Sequence, residues 1–217
     1  MRTDEYASNK VFLEGAIEEE PVLDHSCKTE SFVRVIVRVA RNSGNCDLVP
    51  VIISEKLLWG VHPKKGDRIS VFGQLRSYSR FLGVEENGKT KSKLDVFIFA
   101  QKVDWPTTFE EDVNRIEAEG YIGRVRPIRK TPFGKEICDL LLAINRGQKS
   151  SYIPMIAWSR NAHFVEALGV GTKVYVEGRF QSRVYTKYEG DEAKELTAYE
   201  ISISRIDAEE SHHQEER

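Results

Sequence analysis

The chain has 217 residues, of which 40% are hydrophobic and 30% charged, and its formal net charge is −2. That length allows one large domain or two small ones with their own cores; no apolar run approaches the roughly 18 residues of a membrane helix, and the first ten residues lack the apolar stretch of a secretory signal. Three cysteines (Cys27, Cys46, Cys138) without CxxC spacing argue against a disulfide framework and read as reduced thiols of a cytoplasmic protein.

The first predicted strand is NKVFLEGAI, Asn9 to Ile17. An acidic loop, EEEPVLD with Glu18, Glu19 and Glu20, leads to FVRVIVRVAR (Phe32 to Arg41), which alternates as a second strand. A third strand passes through Leu48 and Pro50 to Ser54. EKLLWGV then predicts a short helical segment with Trp59 in the core. The fourth strand lies in GDRISVFGQLRS (Gly66 to Ser77), with Gly73 where it turns a barrel corner. A basic loop, NGKTKSK, carries Lys89, Lys91 and Lys93. A fifth strand ends near Asp104, and WPTTFEEDV (Trp105 to Val113) reads as an acidic linker.

The same series then recurs. NRIEAEGYI (Asn114 to Ile122), ICDLLLAINR (Ile137 to Arg146) and GTKVYVEGRFQS (Gly171 to Ser182) each follow their first-copy counterparts by 105 positions. The offset slips to 104 at Pro50/Pro154 and to 103 at Val103-Asp104/Ile206-Asp207, the small loop indels of divergent duplicates. From Gly171 to Tyr185, Val174, Val176 and Phe180 alternate with polar residues, and Gly178 repeats Gly73. SRNAHFVEALG predicts a helix with Phe164, Val165 and Leu168 at helical spacing and Gly169 as its stop. Each copy reads strand, strand, strand, helix, strand, strand. The fold class is all-β: two tandem five-stranded OB-fold (Greek-key) barrels, each with a short helix between strands 3 and 4. The barrels span 9–104 and 114–207, with a linker at 105–113 and an acidic tail at 208–217.

Two segments of this pattern, NKVFLEG and YIPMIAWSRNAHFVEALGVGTKVYVEGRFQSRVY, resemble bacterial single-stranded DNA-binding proteins. The resemblance covers nearly all of copy two and, more weakly, most of copy one. It implies a sequence-indifferent binder of single-stranded DNA that serves replication, repair or recombination. It also implies a homodimer presenting four OB domains, as family members with two barrels per chain assemble. The tail AEESHHQEER lacks the apolar tip by which such proteins recruit replication and repair enzymes.

A single-strand binder needs exposed rings to stack on bases and cations to follow phosphates. Tyr152 and Trp158 lie six apart on one strand face, opposite Ile153, Met155 and Ala157. The resemblance places Tyr152, Trp158 and Tyr185 at the family's stacking positions; a further one is Gln148 here. Trp158 has a second reading, as a packing residue. The loop GRVRPIRKTPFGK holds Arg124, Arg126, Arg129, Lys130 and Lys135 without an acid; Phe133 at its tip either stacks or pins the turn. Arg160, Arg179, Arg183, Lys187 and Tyr188 complete the second-copy set. In copy one the three stacking positions are Ser54, Leu48 and Arg80, so the aromatic pattern is lost. Arg76, Tyr78, Arg80 and Phe81 offer partial compensation, and copy one reads mainly as an assembly domain.

Charge follows the same division. Residues 9–104 hold 15 Lys and Arg against 13 Asp and Glu, and residues 113–207 hold 15 against 12, so the excess acid lies in the linker and termini. No catalytic constellation, metal-ligand spacing or cofactor motif occurs, so the chain is not expected to be an enzyme. An OB-fold adaptor acting through protein contacts, and an RNA-binding OB protein, stand as alternatives.

Overall fold

A computed structural model of the chain describes residues 9–84, 88, 90–107, 111–189 and 192–209. The first half of the chain holds six strands and a short helix, β1 (Asn9–Ile17), β2 (Val22–Cys27), β3 (Glu30–Ala40), β4 (Cys46–Ser54), α1 (Glu55–Leu58), β5 (Arg68–Val84) and β6 (Thr90–Asp104); β1, β3, β4, β6 and β5 close a five-stranded barrel, and β2 pairs on β3 outside it. The second repeats them as β7 (Val113–Val125), β8 (Arg129–Lys130), β9 (Glu136–Arg146), β10 (Lys149–Trp158), α2 (Arg160–Leu168), β11 (Lys173–Glu189) and β12 (Glu192–Ala208).

Each barrel closes in the same two places. In the first, β1 meets β3 at Ala16↔Arg38, and β4 runs parallel to β6 at Ile52↔Phe99. In the second, β7 meets β9 at Tyr121↔Ala143, and β10 runs parallel to β12 at Ile156↔Ser202. Alternation fills both interiors: Val11, Leu13, Val51 and Leu75 in one and Ile116, Ile122, Ile153 and Phe180 in the other are fully buried. Closure needs glycine at two equivalent corners. A Cβ on Gly73 would lie 2.5 Å from the Phe99 carbonyl oxygen, and one on Gly178 would lie 2.5 Å from that of Ser202. The β5–β6 and β11–β12 registers break at these residues, so the expected barrel corner is a β-bulge.

The barrels join through an antiparallel ladder between β1 and β7, with Asn9↔Ala118, Val11↔Ile116 and Leu13↔Asn114. Val11 and Ile116 are themselves repeat equivalents, so a pseudo-twofold axis passes between them. The asparagines obey it: Asn9 bonds the backbone N and O of Leu75, as Asn114 bonds those of Phe180. So do two contacts across the axis, in which Ser77 Oγ accepts from Tyr152 N at 2.9 Å and Ser182 Oγ accepts from Leu48 N at 2.8 Å.

Several sequence expectations change. The segments around NGKTKSK and after Tyr185 are not simple loops: β5–β6 and β11–β12 continue as long hairpins, because β-branched and aromatic residues sustain pairing past the barrel wall. Trp59 is not core. Helix α1 ends at Leu58, which is buried, while Trp59 caps it in the left-handed conformation (φ 50°) and is 87% exposed. In α2 the buried pair is Ala162 and Val165; Phe164 faces outward at 40% exposure. Among the described residues no helix is long and apolar enough to cross a membrane.

Candidate nucleic-acid interface

Alternation along β10 sets the aromatic face. Ile153, Met155 and Ala157 point inward and are buried, which turns Tyr152 and Trp158 to the other side. Tyr152 is 47% exposed. Trp158 is half-buried and lies outside the core, and its Nε1 donates to Ser202 Oγ on β12 at 3.1 Å. This bond fixes the indole against the barrel wall with part of the ring in solvent. Tyr185 is exposed on the projecting β11–β12 ribbon, with the Arg183 guanidinium 5.7 Å from its ring centroid.

The basic segment is a built arm. Val125 ends β7, and Arg129–Lys130 form β8 against Ile137 and Glu136 of β9. Three bonds hold it: Arg126 N to the Asp139 carbonyl, Cys138 Sγ to the Arg126 carbonyl, and Ile128 N to Glu166 of α2. Phe133, at the tip of the turn, is 92% exposed and pins nothing. Arg124, Arg126 and Arg129 from the arm meet Arg183 from β11 around a groove of about 310 Å³. Leu94 of the first barrel forms part of its wall.

Two acids, which the local sequence did not signal, share this groove. Asp139 accepts from Arg129 Nε at 2.8 Å and Nη2 at 3.1 Å. Glu200 lies 3.8 Å from Arg183 and accepts from Gln181 Nε2 at 3.1 Å. Its side chain is only 12% exposed, and burial lifts its carboxyl above the usual glutamate range against the opposing pull of Arg183. Asp139 comes from β9, which directly follows the arm and pairs with it, whereas Glu200 comes from β12, distant in sequence, so only the folded barrel brings it there.

Other expected cations are placed differently. Arg179 lies at the junction of the barrels, not in the groove: its Nη1 donates to Asp47 of the first barrel at 2.8 Å. Asp47 is 1% exposed and also accepts from Arg41 Nε and Nη2 and from Ser182 N. Lys130 is exposed on the arm itself, and Arg160 is exposed at the start of α2. On the first barrel, Tyr78 and Phe81 are exposed on the projecting ribbon, and Arg80 pairs with Asp95 at 2.9 Å. Arg76 lies over the Phe99 ring. The side chains of Lys187 and Tyr188, and Lys89, lie outside the described residues.

The model of the Single-strand binding protein family matches residues 113–208, the second barrel. Two solved structures resemble the whole chain. A deletion mutant of the single-stranded DNA binding protein from Thermus aquaticus superposes with a TM-score of 0.70 at 20% identity, over 96% of this chain and 98% of that one. The wild-type protein from the same organism gives 0.68 at 21% identity, over 93% of each chain. At such identities the likeness is one of fold, and it extends over both barrels. No curated protein matches the chain in sequence.

Proposed function

We propose, from the match of residues 113–208 to the Single-strand binding protein family, that this chain binds single-stranded DNA without strong sequence preference. One observation carries the reading: partly exposed rings, Tyr152, Trp158 and Tyr185, stand on the barrel that gathers four arginines into one groove. Bases stack on the rings, and Arg124, Arg126, Arg129 and Arg183 follow the phosphates. Neither interaction reads a base edge, so the binding is indifferent to sequence. Tyr78, Arg76 and Arg80 extend the track along the first barrel. Arg179 serves instead as a junction residue. The role is that of a non-catalytic coat on exposed strands during replication, repair or recombination, carried out by a homodimer with four barrels.

The test is titration of labelled oligo-dT at low salt, followed by anisotropy. Stacking contributes roughly 1–3 kcal/mol per base, so Trp158→Ala and Tyr185→Ala should each weaken binding at least about fivefold. Unchanged affinity in both variants would sink the assignment of the stacking face. Matched rU oligomers run in parallel distinguish RNA recognition, because only RNA offers a 2′-hydroxyl.

A further inference from the structure

The first barrel lacks a ring at the position of Trp158, where it has Ser54. Across the parallel strand pair the substitution reverses. The residue equivalent to Ser202, which holds the Trp158 indole, is Phe99: the registers are Ile156↔Ser202 in one barrel and Ile52↔Phe99 in the other. Small and aromatic residues have exchanged strands. The second barrel has a ring on β10 lying against a serine of β12, and the first has a serine on β4 beside a ring on β6.

Further groups gather at this place that the second barrel does not have. The Arg76 guanidinium lies 3.5 Å from the Phe99 ring centroid, where the equivalent residue is Gln181. The Phe32 ring lies 5.8 Å from Phe99, where the equivalent is Ile137, and His25 stacks on Phe32 at 4.6 Å. Phe32 and Phe99 are half-buried, not core. They line an open groove of about 670 Å³ with Phe72, Arg76, Lys56 and Lys102. Glu30 also borders it and pairs with Lys56 at 3.3 Å, while Lys102 pairs with Asp104 at 2.7 Å. Both lysines are 69% exposed, so either can pass from its carboxylate to a phosphate at little cost.

We propose that this groove is a second base-stacking subsite, in which an unpaired nucleotide of the bound single strand packs against Phe99, Phe32 and the Arg76 plane while Lys56 or Lys102 meets its phosphate. The chemistry fits one occupant. A guanidinium on a ring offers a flat stacking surface for a base, and flanking ammonium groups suit a phosphodiester. The subsite rests on the proposed single-strand binding, and it makes the first barrel a binder as well as an assembly domain.

The test uses the full chain and a dT oligomer substituted with 5-iododeoxyuridine, photo-crosslinked and mapped by mass spectrometry of peptides. The expected map shows adducts at Phe99 or Phe32 in addition to those on the second barrel. In parallel, Phe99→Leu should lower affinity for a long dT oligomer about tenfold, with Lys102→Glu weakening it in the same direction. It should not alter binding of an oligomer short enough to fill the second barrel alone. Adducts confined to the second barrel would overturn the subsite and leave the proposed function intact. Absence of any binding by the unaltered chain would overturn both. The map on the unaltered chain decides even if Phe99→Leu folds poorly.

Discussion

Glu200 sits among arginines in the groove beside the arm, yet its burial disfavours the charged form. Because its folded-state pKa is raised, ionisation at neutral pH works against folding, and that cost is relieved as pH falls through the raised value toward the ordinary glutamate range. Glu200→Gln should therefore be more stable than the unaltered chain at pH 7 in urea unfolding, with the advantage shrinking as pH drops. Removing a negative charge beside Arg183 and Arg129 should also tighten oligo-dT binding about threefold to fivefold at pH 7 and flatten the pH dependence of that affinity. An equal pH response in both proteins would assign the dependence to another group. At this scale the sequence disclosed the inward and outward faces of β10, since alternation alone separates Tyr152 and Trp158 from Ile153 and Met155. It did not disclose which basic residues are free. Arg179 alternates correctly on its strand, but its partner Asp47 is 132 residues away and belongs to the other barrel.

The bulges at Gly73 and Gly178 show what was readable at the scale of elements. A glycine in the middle of an alternating strand predicts a bend, and the close approach of the neighbouring carbonyl gives the reason. Gly178→Ala should cost about 1–3 kcal/mol of stability, because the carbonyl it meets belongs to the barrel wall and cannot move freely; urea unfolding with a midpoint within error of the unaltered chain would refute this. Element ends were less legible. Trp59 suggested core by its apolarity, but a four-residue helix has one inward position, which Leu58 takes. The projecting ribbons were read as loops because their charged stretches mask the continued pairing of Lys187 with Lys194 and of Arg80 with Lys93.

The whole molecule is two barrels sharing one ladder. The repeat offset established that the copies are equivalent but not how they meet, since a free β1 edge could pair within the chain or with another chain. Pairing of β1 with β7 makes the barrels one mechanical unit, and Asp47 seals it with two arginines and a backbone amide. Breaking a buried charge cluster costs about 3–5 kcal/mol, less where the cations reach solvent as they do here, so Asp47→Ala should cost about 2–3 kcal/mol. Variants whose single tryptophan is Trp158, or one introduced at half-buried Phe72 (Phe72→Trp) with Trp59, Trp105 and Trp158 replaced, report the two barrels separately. Both should unfold at one urea concentration, which Asp47→Ala shifts downward for both; two distinct midpoints in the unaltered chain would show the barrels to be independent.

The backbone across the pseudo-twofold axis is symmetric, but the charges on it are not. The equivalents of Asp47 and Arg179 are Ser151 and Gln74, so the acid–guanidinium cluster stands on one side of the axis alone. Two separate identical chains meeting this way would carry every substitution twice, once on each side. A change helpful on one side would have to be tolerable on the other. Covalent fusion removes that condition, because each half can be altered by itself. The same freedom lets one barrel keep its ring on β10 while the other carries it on β6.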